Sequence, residues 1–490
     1  MRRFAFICVC LRPLLAADDP AQIEQELKKI AAVYATVESE SADPVPAATA
    51  IYQGAIPGML RTLDPHSVFF DPDQFEQLKQ MQSSERKGFG TVVSLLPGRV
   101  IVLQTLEGSP SAKAGLSAGD EILGINTIPV RYLDIEQLTQ VLSEARQKEA
   151  MLDVRKPGSE RPVQIKMSPA LLDAPTVDRA YMVAPGIGHL RITSFEQPTG
   201  ELVKQTIEKL GGKSLQGLII DLRDNPGGAV QSAAETAALF LSPDQLIFTI
   251  GGRSTKPEQV AVPKGVKPYT FPVAILINGK SASASEIVTG ALQDHDRAMV
   301  LGEPSFGKGL VQQVFPLSAL SGLALTTAFY YTPSGRSIQR PLASGQLGAA
   351  TVMARGPFHS DAGRPLPGGG GIQPDQIVYP AQQDRLQVVL DASGSLTTFA
   401  SEYLRTHTVG EDGQVSSAMI SSAMDELKVF LSEHSIQPPV ADWLSNRDWI
   451  ASRLQQEILT LKFGVARGDE IELQRDPAVQ AALRKLRGAP

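Results

Sequence analysis

Cysteine is almost absent from this chain of 490 residues, which contains only Cys8 and Cys10. Both lie within the first twenty residues, so the rest of the chain has no disulfide framework and no thiol nucleophile. Histidine is also scarce, with six residues and no H-E-x-x-H sequence, the commonest signature of zinc proteases. We therefore expect neither a cysteine protease nor a metal or cofactor site.

Long apolar runs and a strong charge of one sign are missing as well. After the first twenty residues no stretch approaches the roughly 18 apolar residues of a membrane span. The net charge of −6 is too small to indicate nucleic acid or an anionic membrane surface as a partner. Length and a hydrophobic share of 42% fit a chain of several ordinary domains.

The first residues have the pattern of a secretory signal peptide. Basic residues precede the apolar residues 4–11, and small residues follow before an acidic stretch. Arg12 and Pro13 interrupt the apolar run, which leaves a wrongly chosen start codon or a retained short anchor as alternatives. We expect residues 1–17 to be a signal peptide and the protein to be extracytoplasmic, in the periplasm or cell envelope.

The most informative segment is a serine-rich turn between a strand pattern and a helix pattern. Residues 271–278 form an apolar run of strand length, and residues 285–293 carry apolar side chains at helical spacing. A serine at such a junction lies where free N–H groups and the helix dipole stabilise a developing oxyanion. Simple capping of the helix by small residues is the alternative.

A lysine between two glycines follows, in the sequence Gly307-Lys308-Gly309. A serine nucleophile needs a base, and lysine can serve when burial and the lack of a carboxylate partner favour its neutral form. The two glycines permit close approach to another segment, where burial could occur. An ordinary turn lysine in water is the alternative, and spacing alone does not exclude it.

With these features in place, residues 281–286, 291–298 and 302–309 resemble the carboxyl-terminal processing proteases. That family consists of serine endopeptidases with a Ser-Lys dyad and a PDZ domain. The resemblance implies Ser283 as the nucleophile and Lys308, which lies 25 residues later (308 − 283 = 25), as the base.

The same resemblance assigns two further residues to the site. Gln312, four positions after the lysine, matches the glutamine that orients the base in the family. Asp294, eleven residues after the serine, matches a family aspartate that we assign to structural support. A solvated carboxylate at the helix end is an equally good interpretation of Asp294.

The resemblance extends over nearly the whole chain after its first residues. Further matching segments occur in the family's order at residues 63–67, 217–228, 330–336 and 371–375. The Asn-Pro-Gly-Gly turn at the end of the second segment leaves backbone N–H groups uncovered by side chains. We expect Gly227 or Gly228 to supply one oxyanion donor and Ala284 the other, with a tight turn of no chemical role as the alternative.

Residues 85–168 resemble a PDZ domain. Gly88-Phe89-Gly90 matches its carboxylate-binding loop, and residues 135–145, with Asp134 as N-cap, match its groove helix. In such a domain an extended peptide adds a strand to the sheet edge while loop N–H groups hold its terminal carboxylate. A purely structural turn is the alternative.

The expected fold class is multidomain α+β. A helical N-terminal region, expected to pack as a lead-in, is followed by the PDZ domain, a crotonase-like α/β protease core and a helical C-terminal domain. The predicted boundaries are 1–17 for the signal peptide, then 18–84, 85–168, 169–380 and 381–490.

Two other serine mechanisms can be drawn from the sequence. Residues 305–308 fit the S-x-x-K motif of penicillin-binding enzymes, but no S-D-N or K-T-G partner accompanies it. A Ser-His-Asp triad could use His66 or His295, but His295 follows Ser283 by twelve residues on the same predicted helix. That separation is too long for the two side chains to meet.

Together these features predict a serine endopeptidase that recognises polypeptide C-termini through its PDZ domain. Polypeptides with accessible C-termini are the expected partners, and nucleic acid is not. The helical tail leaves an adaptor protein or a homodimer open. A non-catalytic PDZ adaptor with an inactive core is the main alternative, and an acyl-CoA enzyme on the crotonase-like core is a weaker one.

Overall fold

The computed structural model describes residues 20–43, 45–76, 87–146, 148–172, 176–253, 256–318, 321–341, 357–410, 413 and 415–488. The predicted signal peptide lies outside these residues. The chain forms two compact units: Met1–Glu76 with Gln313–Thr326, and Gln77–Gln312 with Thr327–Pro490.

The first unit is mainly helical. Its elements are α1 (Pro20–Glu40), a π-helical turn (Thr49–Ala55), α2 (Ile56–Arg61) and β1 (Val68–Phe70). Strand β1 pairs antiparallel with residues 322–324. The expected helical character is confirmed. No side chain of α1 is fully buried, but Tyr34 is half-buried and its hydroxyl lies 3.5 Å from the Val45 carbonyl.

The second unit begins with an antiparallel sheet. Its elements are β2 (Lys87–Gly88), β3 (Thr91–Leu96), β4 (Arg99–Thr105), α3 (Pro110–Lys113), β5 (Glu121–Ile125), β6 (Ile128–Pro129), α4 (Ile135–Ala145), β7 (Ala150–Arg155), β8 (Val163–Met167) and β9 (Ala170–Leu171). The sheet order is β3-β4-β5-β7-β8, and Leu138 of α4 is fully buried against it. Helix α4 begins as predicted, since the Asp134 carboxylate accepts the N–H of Gln137 at 2.8 Å.

The region after residue 176 contains a second sheet, of six strands, together with helices and other strands. The elements are β10 (Val177–Ala184), β11 (Ile187–Ile192), α5 (Thr199–Leu210), β12 (Gly217–Asp221), α6 (Val230–Ala238), β13 (Leu246–Gly251), β14 (Glu258–Ala261), β15 (Val273–Ile277), α7 (Ala284–Asp294), β16 (Ala298–Gly302), β17 (Leu310–Ser318), β18 (Ser321–Tyr331), β19 (Phe358–His359), β20 (Pro365–Leu366) and β21 (Gln376–Ile377).

This sheet has the order β10-β11-β12-β15-β16-β21, with parallel pairing from β11 onward. Strands β12 and β15 are buried along their whole length, as expected for parallel strands covered on both faces. They are neighbours, so the turns that follow their carboxyl ends lie side by side, where ligands bind in open α/β sheets.

The remaining chain is helical, as predicted. Its helices are α8 (Arg385–Ser393), α9 (Ser395–Thr406), α10 (Ser417–Glu433), α11 (Val440–Ser445), α12 (Arg447–Phe463), α13 (Val465–Leu473) and α14 (Pro477–Leu486). Val479 and Ala482 of α14 pack against Ile219 and Ala274 of the parallel sheet. None of the described helices combines the length and apolar character needed to cross a membrane.

The mixed α+β fold class predicted from the sequence is therefore correct. The residue boundaries assigned to the separate domains stay predictions.

Candidate active site

The serine-rich turn places Ser283 in an unusual backbone conformation. Ser283 is the residue before α7 and has φ 53° and ψ −112°, a combination that residues with a side chain rarely adopt. It is half-buried, whereas Ala282 and Ala284 on either side are buried. The turn therefore holds this one hydroxyl in a strained position, as sites of nucleophilic serines do.

The loop that carries Lys308 requires its glycines. A Cβ on Gly307 would lie 2.9 Å from Arg340 Cβ, and one on Gly309 would lie 2.9 Å from the Gln339 nitrogen. The close approach predicted from the two glycines is thus present. Lys308 itself is half-buried, and its side chain forms no ion pair with any residue in the described part of the chain.

One carboxylate joins the two loops. Oε2 of Glu286 accepts the N–H of Ser283 and the N–H of Lys308, both at 2.9 Å. Its Oε1 accepts the N–H of Gly307 at 2.8 Å and the hydroxyl of Ser305 at 2.5 Å. The backbones of Ser283 and Lys308 therefore meet at a single oxygen atom. Between their side chains, Ser283 Oγ and Lys308 Nζ, the described structure has no hydrogen bond.

Glu286 is fully buried, and burial raises the pKa of its carboxyl, while the hydrogen bonds from Ser305, Lys308, Ser283 and Gly307 act in the opposite direction. Four donors satisfy its two oxygens, which suits an ionised carboxylate that accepts and does not donate. We call this arrangement, in which Glu286 binds the Ser283 turn and the Lys308 loop, the Glu286 clamp.

Sequence reasoning missed Glu286. Its position three residues after Ser283 is the one that helps to cap a helix, and the Ser283 N–H does donate to it. No local pattern shows that the same carboxylate also reaches Lys308, 22 residues further along the chain.

The glycine turn after β12 lies against Ser283. A Cβ on Gly227 would be 2.8 Å from Ser283 Cβ and 2.9 Å from the Ala284 nitrogen. The N–H of Gly227 is already engaged, because it donates to Asn225 Oδ1 at 2.8 Å. The N–H groups of Gly228 and Ala284 have no acceptor among the described residues. Of the two glycines predicted as oxyanion donors, this geometry favours Gly228.

Asn225 fixes the glycine turn to its surroundings, a role that the sequence did not indicate. Its buried side chain donates to the carbonyl of Ile192 at 2.8 Å, and its own carbonyl accepts the N–H of Ala282 at 3.0 Å. The same carbonyl accepts the Ser285 hydroxyl at 3.0 Å. Asn225 therefore sets the distance between the glycine turn and the serine turn.

Asp294 is buried in this protein. It ends α7, and its Oδ1 accepts Arg336 Nη2 at 2.7 Å while its Oδ2 accepts the N–H of Ser334 at 2.9 Å. Arg336 is itself fully buried. Its burial is incompatible with a solvated carboxylate, and its assignment to structural support of the site stays a prediction.

The other predicted positions lie outside the Glu286 clamp. Gln312 is on β17 with its side chain exposed, and its orienting role stays a prediction. His295 has both ring nitrogens engaged: Nδ1 lies 2.7 Å from Asp361 Oδ2, and Nε2 lies 2.7 Å from the carbonyl of Leu246. A histidine bonded on both sides is unsuited to be the base for Ser283.

The predicted peptide-binding loop has the right polarity for a carboxylate. The carbonyls of Phe89 and Gly90 accept the N–H groups of Ser111 at 2.9 Å and Leu106 at 2.8 Å. The N–H groups of Phe89 and Gly90 have no acceptor among the described residues. Strand β3, which follows the loop, is an end strand of its sheet, and α4 packs beside it.

Comparison with known proteins adds independent findings. The family model of peptidase family S41 matches residues 186–344, and a PDZ domain model matches residues 101–156. A carboxy-terminal-processing protease of Bartonella bacilliformis is 35% identical over 293 residues, which cover 59% of this chain and 67% of that protein. The carboxy-terminal processing protease CtpB of Bacillus subtilis is 31% identical over 328 residues, covering 66% of this chain and 68% of that protein.

Among solved structures, the photosystem II D1 C-terminal processing protease is similar at 22% sequence identity and a TM-score of 0.42. The match covers 74% of this chain and 89% of that chain.

Proposed function

Because this chain belongs to the carboxy-terminal processing serine proteases of peptidase family S41, we propose that it cleaves peptide bonds with Ser283 as nucleophile and Lys308 as general base. The observation that supports this pair most strongly is the Glu286 clamp, in which one carboxylate oxygen binds the backbone of both residues. Lys308 is half-buried and forms no ion pair with any described residue, so no carboxylate engages its amine.

In the proposed reaction, Ser283 Oγ attacks the carbonyl carbon of the scissile peptide bond and Lys308 Nζ takes the hydroxyl proton. Lys308 then gives this proton to the leaving amine as the C–N bond breaks, which produces an acyl-enzyme and the C-terminal fragment. Water next attacks the ester, with Lys308 again as base, and releases the second fragment and free Ser283. Gln312 has the role of orienting the lysine.

The oxyanion of each tetrahedral intermediate is assigned to the N–H groups of Gly228 and Ala284. Both groups lack an acceptor in the described structure, and the glycine turn is close to Ser283. Gly227 leaves room for Ser283, because a Cβ at this position would lie 2.8 Å from Ser283 Cβ. Donors held in place before reaction need no reorganisation when the charge develops, which makes them effective.

Substrate selection is assigned to the PDZ domain. The N–H groups of Phe89 and Gly90, which have no acceptor among the described residues, suit a terminal carboxylate, and β3, an end strand of its described sheet, suits an added peptide strand. Export to the periplasm or cell envelope through residues 1–17 is also part of the proposal, and its support is the sequence pattern alone.

Two substitutions test the dyad. Ser283→Ala and Lys308→Ala should each abolish cleavage of casein or a fluorogenic peptide while the melting temperature stays within about 3 °C of that of the unmodified protein. Matched controls are Ser417→Ala and Lys264→Ala, at exposed positions in the second unit, which should keep full activity. Turnover that persists in either dyad variant would rule out this mechanism.

A serine-reactive phosphonate separates the enzyme from the adaptor alternative. Labelling of Ser283, located by mass spectrometry, is expected for a protease. Peptide binding without labelling or turnover would mean an adaptor with an inactive core.

Recognition of C-termini is tested separately with the Ser283→Ala variant. Fluorescent peptides with a free C-terminal carboxylate should bind at least about tenfold more tightly than the same peptides with an amidated C-terminus, since a charge-assisted hydrogen bond to a carboxylate contributes about 1.5–3 kcal/mol. Equal affinity would contradict the role assigned to the loop at residues 88–90.

A further inference from the structure

A cavity of about 840 Å³ lies within the second unit, between the parallel sheet and the C-terminal helices. Residues of β10, β11, α12 and α13 form its walls, and Tyr379, whose ring is exposed, also lines it. Ligand pockets in proteins usually measure about 300–1,000 Å³. The cavity is therefore large enough for a short peptide segment, and none of the residues proposed above as catalytic lines it.

The cavity borders the three turns that build the proposed active site. Asp224 belongs to the glycine turn, Asn278 begins the serine-rich turn, and Glu303 begins the Lys308 loop. The first two turns are joined at this border, because the N–H of Asp224 donates to Asn278 Oδ1 at 3.0 Å and Asn278 Nδ2 donates to Asp224 Oδ1 at 3.2 Å. Ser283 follows Asn278 by five residues (283 − 278 = 5), so at most about 18 Å separate them, which about five extended residues of a substrate span.

Two polar side chains that line the cavity lack hydrogen-bond partners. His189 is 1% exposed, and neither of its ring nitrogens has a partner among the described residues. Asp221 Oδ2 lies 3.6 Å from His189 Nε2, which is beyond hydrogen-bond distance. The buried Nε of Arg475 also has no acceptor in the part of the chain that the structure describes.

These atoms indicate what kind of molecule fits the cavity. A neutral histidine offers one donor and one acceptor, and Nε of arginine is a donor. Buried polar groups are almost always hydrogen-bonded, so the cavity requires an occupant that carries acceptors as well as donors. The backbone of a polypeptide, with one N–H and one C=O group in each residue, meets this requirement.

The charges of the cavity favour a cationic side chain. Carboxylates outnumber arginines among its lining residues. Arg223 is already paired with Asp221 and Asp476, each at 2.6 Å. Glu303, in contrast, is half-buried and forms no ion pair with any described residue. A carboxylate in this position can form a charge-assisted hydrogen bond with the side chain of a lysine or arginine.

We propose that the cavity binds the part of the substrate polypeptide next to the scissile bond, and that Glu303 selects substrates with lysine or arginine in that part. This inference rests on the proposed function, since it names the substrate class of the same site. The cationic side chain pairs with Glu303, while backbone groups elsewhere in the cavity bond to His189 and Arg475. Glu303 is thus a specificity-determining residue.

Matched peptides test the selection. The scissile bond of a casein peptide that the protein cleaves is first located by mass spectrometry. Lysine or glutamine is then placed in turn at each of the five positions on either side of that bond, in an otherwise uncharged peptide. At one position or more, lysine should raise kcat/KM at least about tenfold over glutamine, as expected for a charge-assisted hydrogen bond. Equal values at every position would overturn the proposal.

Variants at Glu303 test the residue itself. Glu303→Gln should lower the ratio of kcat/KM for the lysine and glutamine peptides to about one, and Glu303→Lys should make glutamate better than lysine at the same position. The control Glu433→Gln, at an exposed position near the end of α10, should keep the original ratio. A variant that only damages the fold or the dyad lowers both values together and leaves their ratio unchanged. A Glu303→Gln protein with the original ratio would therefore refute the role of Glu303.

The place where the peptide binds has its own readout in the Ser283→Ala variant. The preferred lysine peptide, carrying benzoylphenylalanine beside the lysine, should crosslink on irradiation to residues 378–391 or 449–478, which line the cavity. Crosslinks confined to other parts of the chain would mean that solvent alone fills the cavity, and the proposal would be wrong. Cleavage that depends on Ser283 would persist in that case, whereas failure of the proposed function would abolish cleavage of every peptide.

Discussion

Replacing Glu286 by glutamine removes the charge of the Glu286 clamp while nearly preserving its shape. The carboxylate accepts four donors, two on each oxygen. Glutamine has only one acceptor oxygen, so the other two donors would face an amide N–H₂ group. Hydrogen bonds to a charged group contribute about 1.5–3 kcal/mol each, which makes the gross loss about 3–6 kcal/mol.

Part of this loss is offset, because burial already raises the pKa of Glu286 and the amide carries no charge to desolvate. We expect the free energy of unfolding to fall by about 2–4 kcal/mol. The effect on catalysis should be larger, since the strained Ser283 turn and the Lys308 loop lose the atom that both bind. A shift of about 1 Å between reacting groups costs about 10²-fold in rate.

The assay compares Glu286→Gln with Glu433→Gln, a control at an exposed position near the end of α10. Steady-state cleavage of a fluorogenic peptide should show kcat reduced at least about 10²-fold with KM changed little, because the substitution disturbs the dyad and leaves the PDZ groove intact. The rate of phosphonate labelling of Ser283 should fall in parallel, and urea unfolding gives the stability change.

Two results would refute the reasoning. A Glu286→Gln protein with unmodified kcat would mean that the clamp does not position the dyad. If Glu286→Gln lowers stability as expected but leaves the rate of phosphonate labelling unchanged, Glu286 stabilises the fold and does not position Ser283.

Two further predictions concern the glycine turn and the C-terminal helices. Gly227→Ala should reduce kcat at least about 10²-fold, because its Cβ would lie 2.8 Å from Ser283 Cβ. The control Gly265→Ala, also at positive φ but with open space around it, should lower stability without lowering kcat. Equal losses of kcat in the two variants would mean that backbone strain alone causes the effect. Burial raises the pKa of Asp469 to about 6 from 3.8 although Arg179 opposes this. The folded protein then binds a proton that the unfolded chain has released, so stability falls as pH rises from about 4 to about 6. Asp469→Asn should remove this decline, and a variant whose melting temperature follows the same pH curve as the unmodified protein would contradict it.

Much of the local structure could be predicted from the sequence. The strand at 273–277, the helix at 284–294 and the capped helix at 135–145 follow from apolar spacing and from side chains that bond within a few residues. Those interactions are local, so they are visible in a single sequence. The family resemblance then supplied Ser283 and Lys308 together with the order of the domains, and the mixed fold class that it implied is correct.

The functions of other residues depend on segments that are far apart in the chain. That Glu286 binds both loops, that Asn225 occupies the N–H of Gly227, and that Asp294 is paired with Arg336 became visible only in three dimensions. A capping glutamate, a turn asparagine and a helix-end aspartate each have an ordinary local interpretation, and nothing nearby in sequence distinguishes that interpretation from the observed one.

By itself, then, the sequence determined where helices, strands and turns form and which residue types the site contains, because spacing and capping act over a few residues. Only the tertiary structure decided which buried carboxylate joins the Ser283 turn to the Lys308 loop, and which backbone N–H groups have no acceptor among the described residues. These properties arise from burial and from contacts between distant segments, and a linear pattern contains neither.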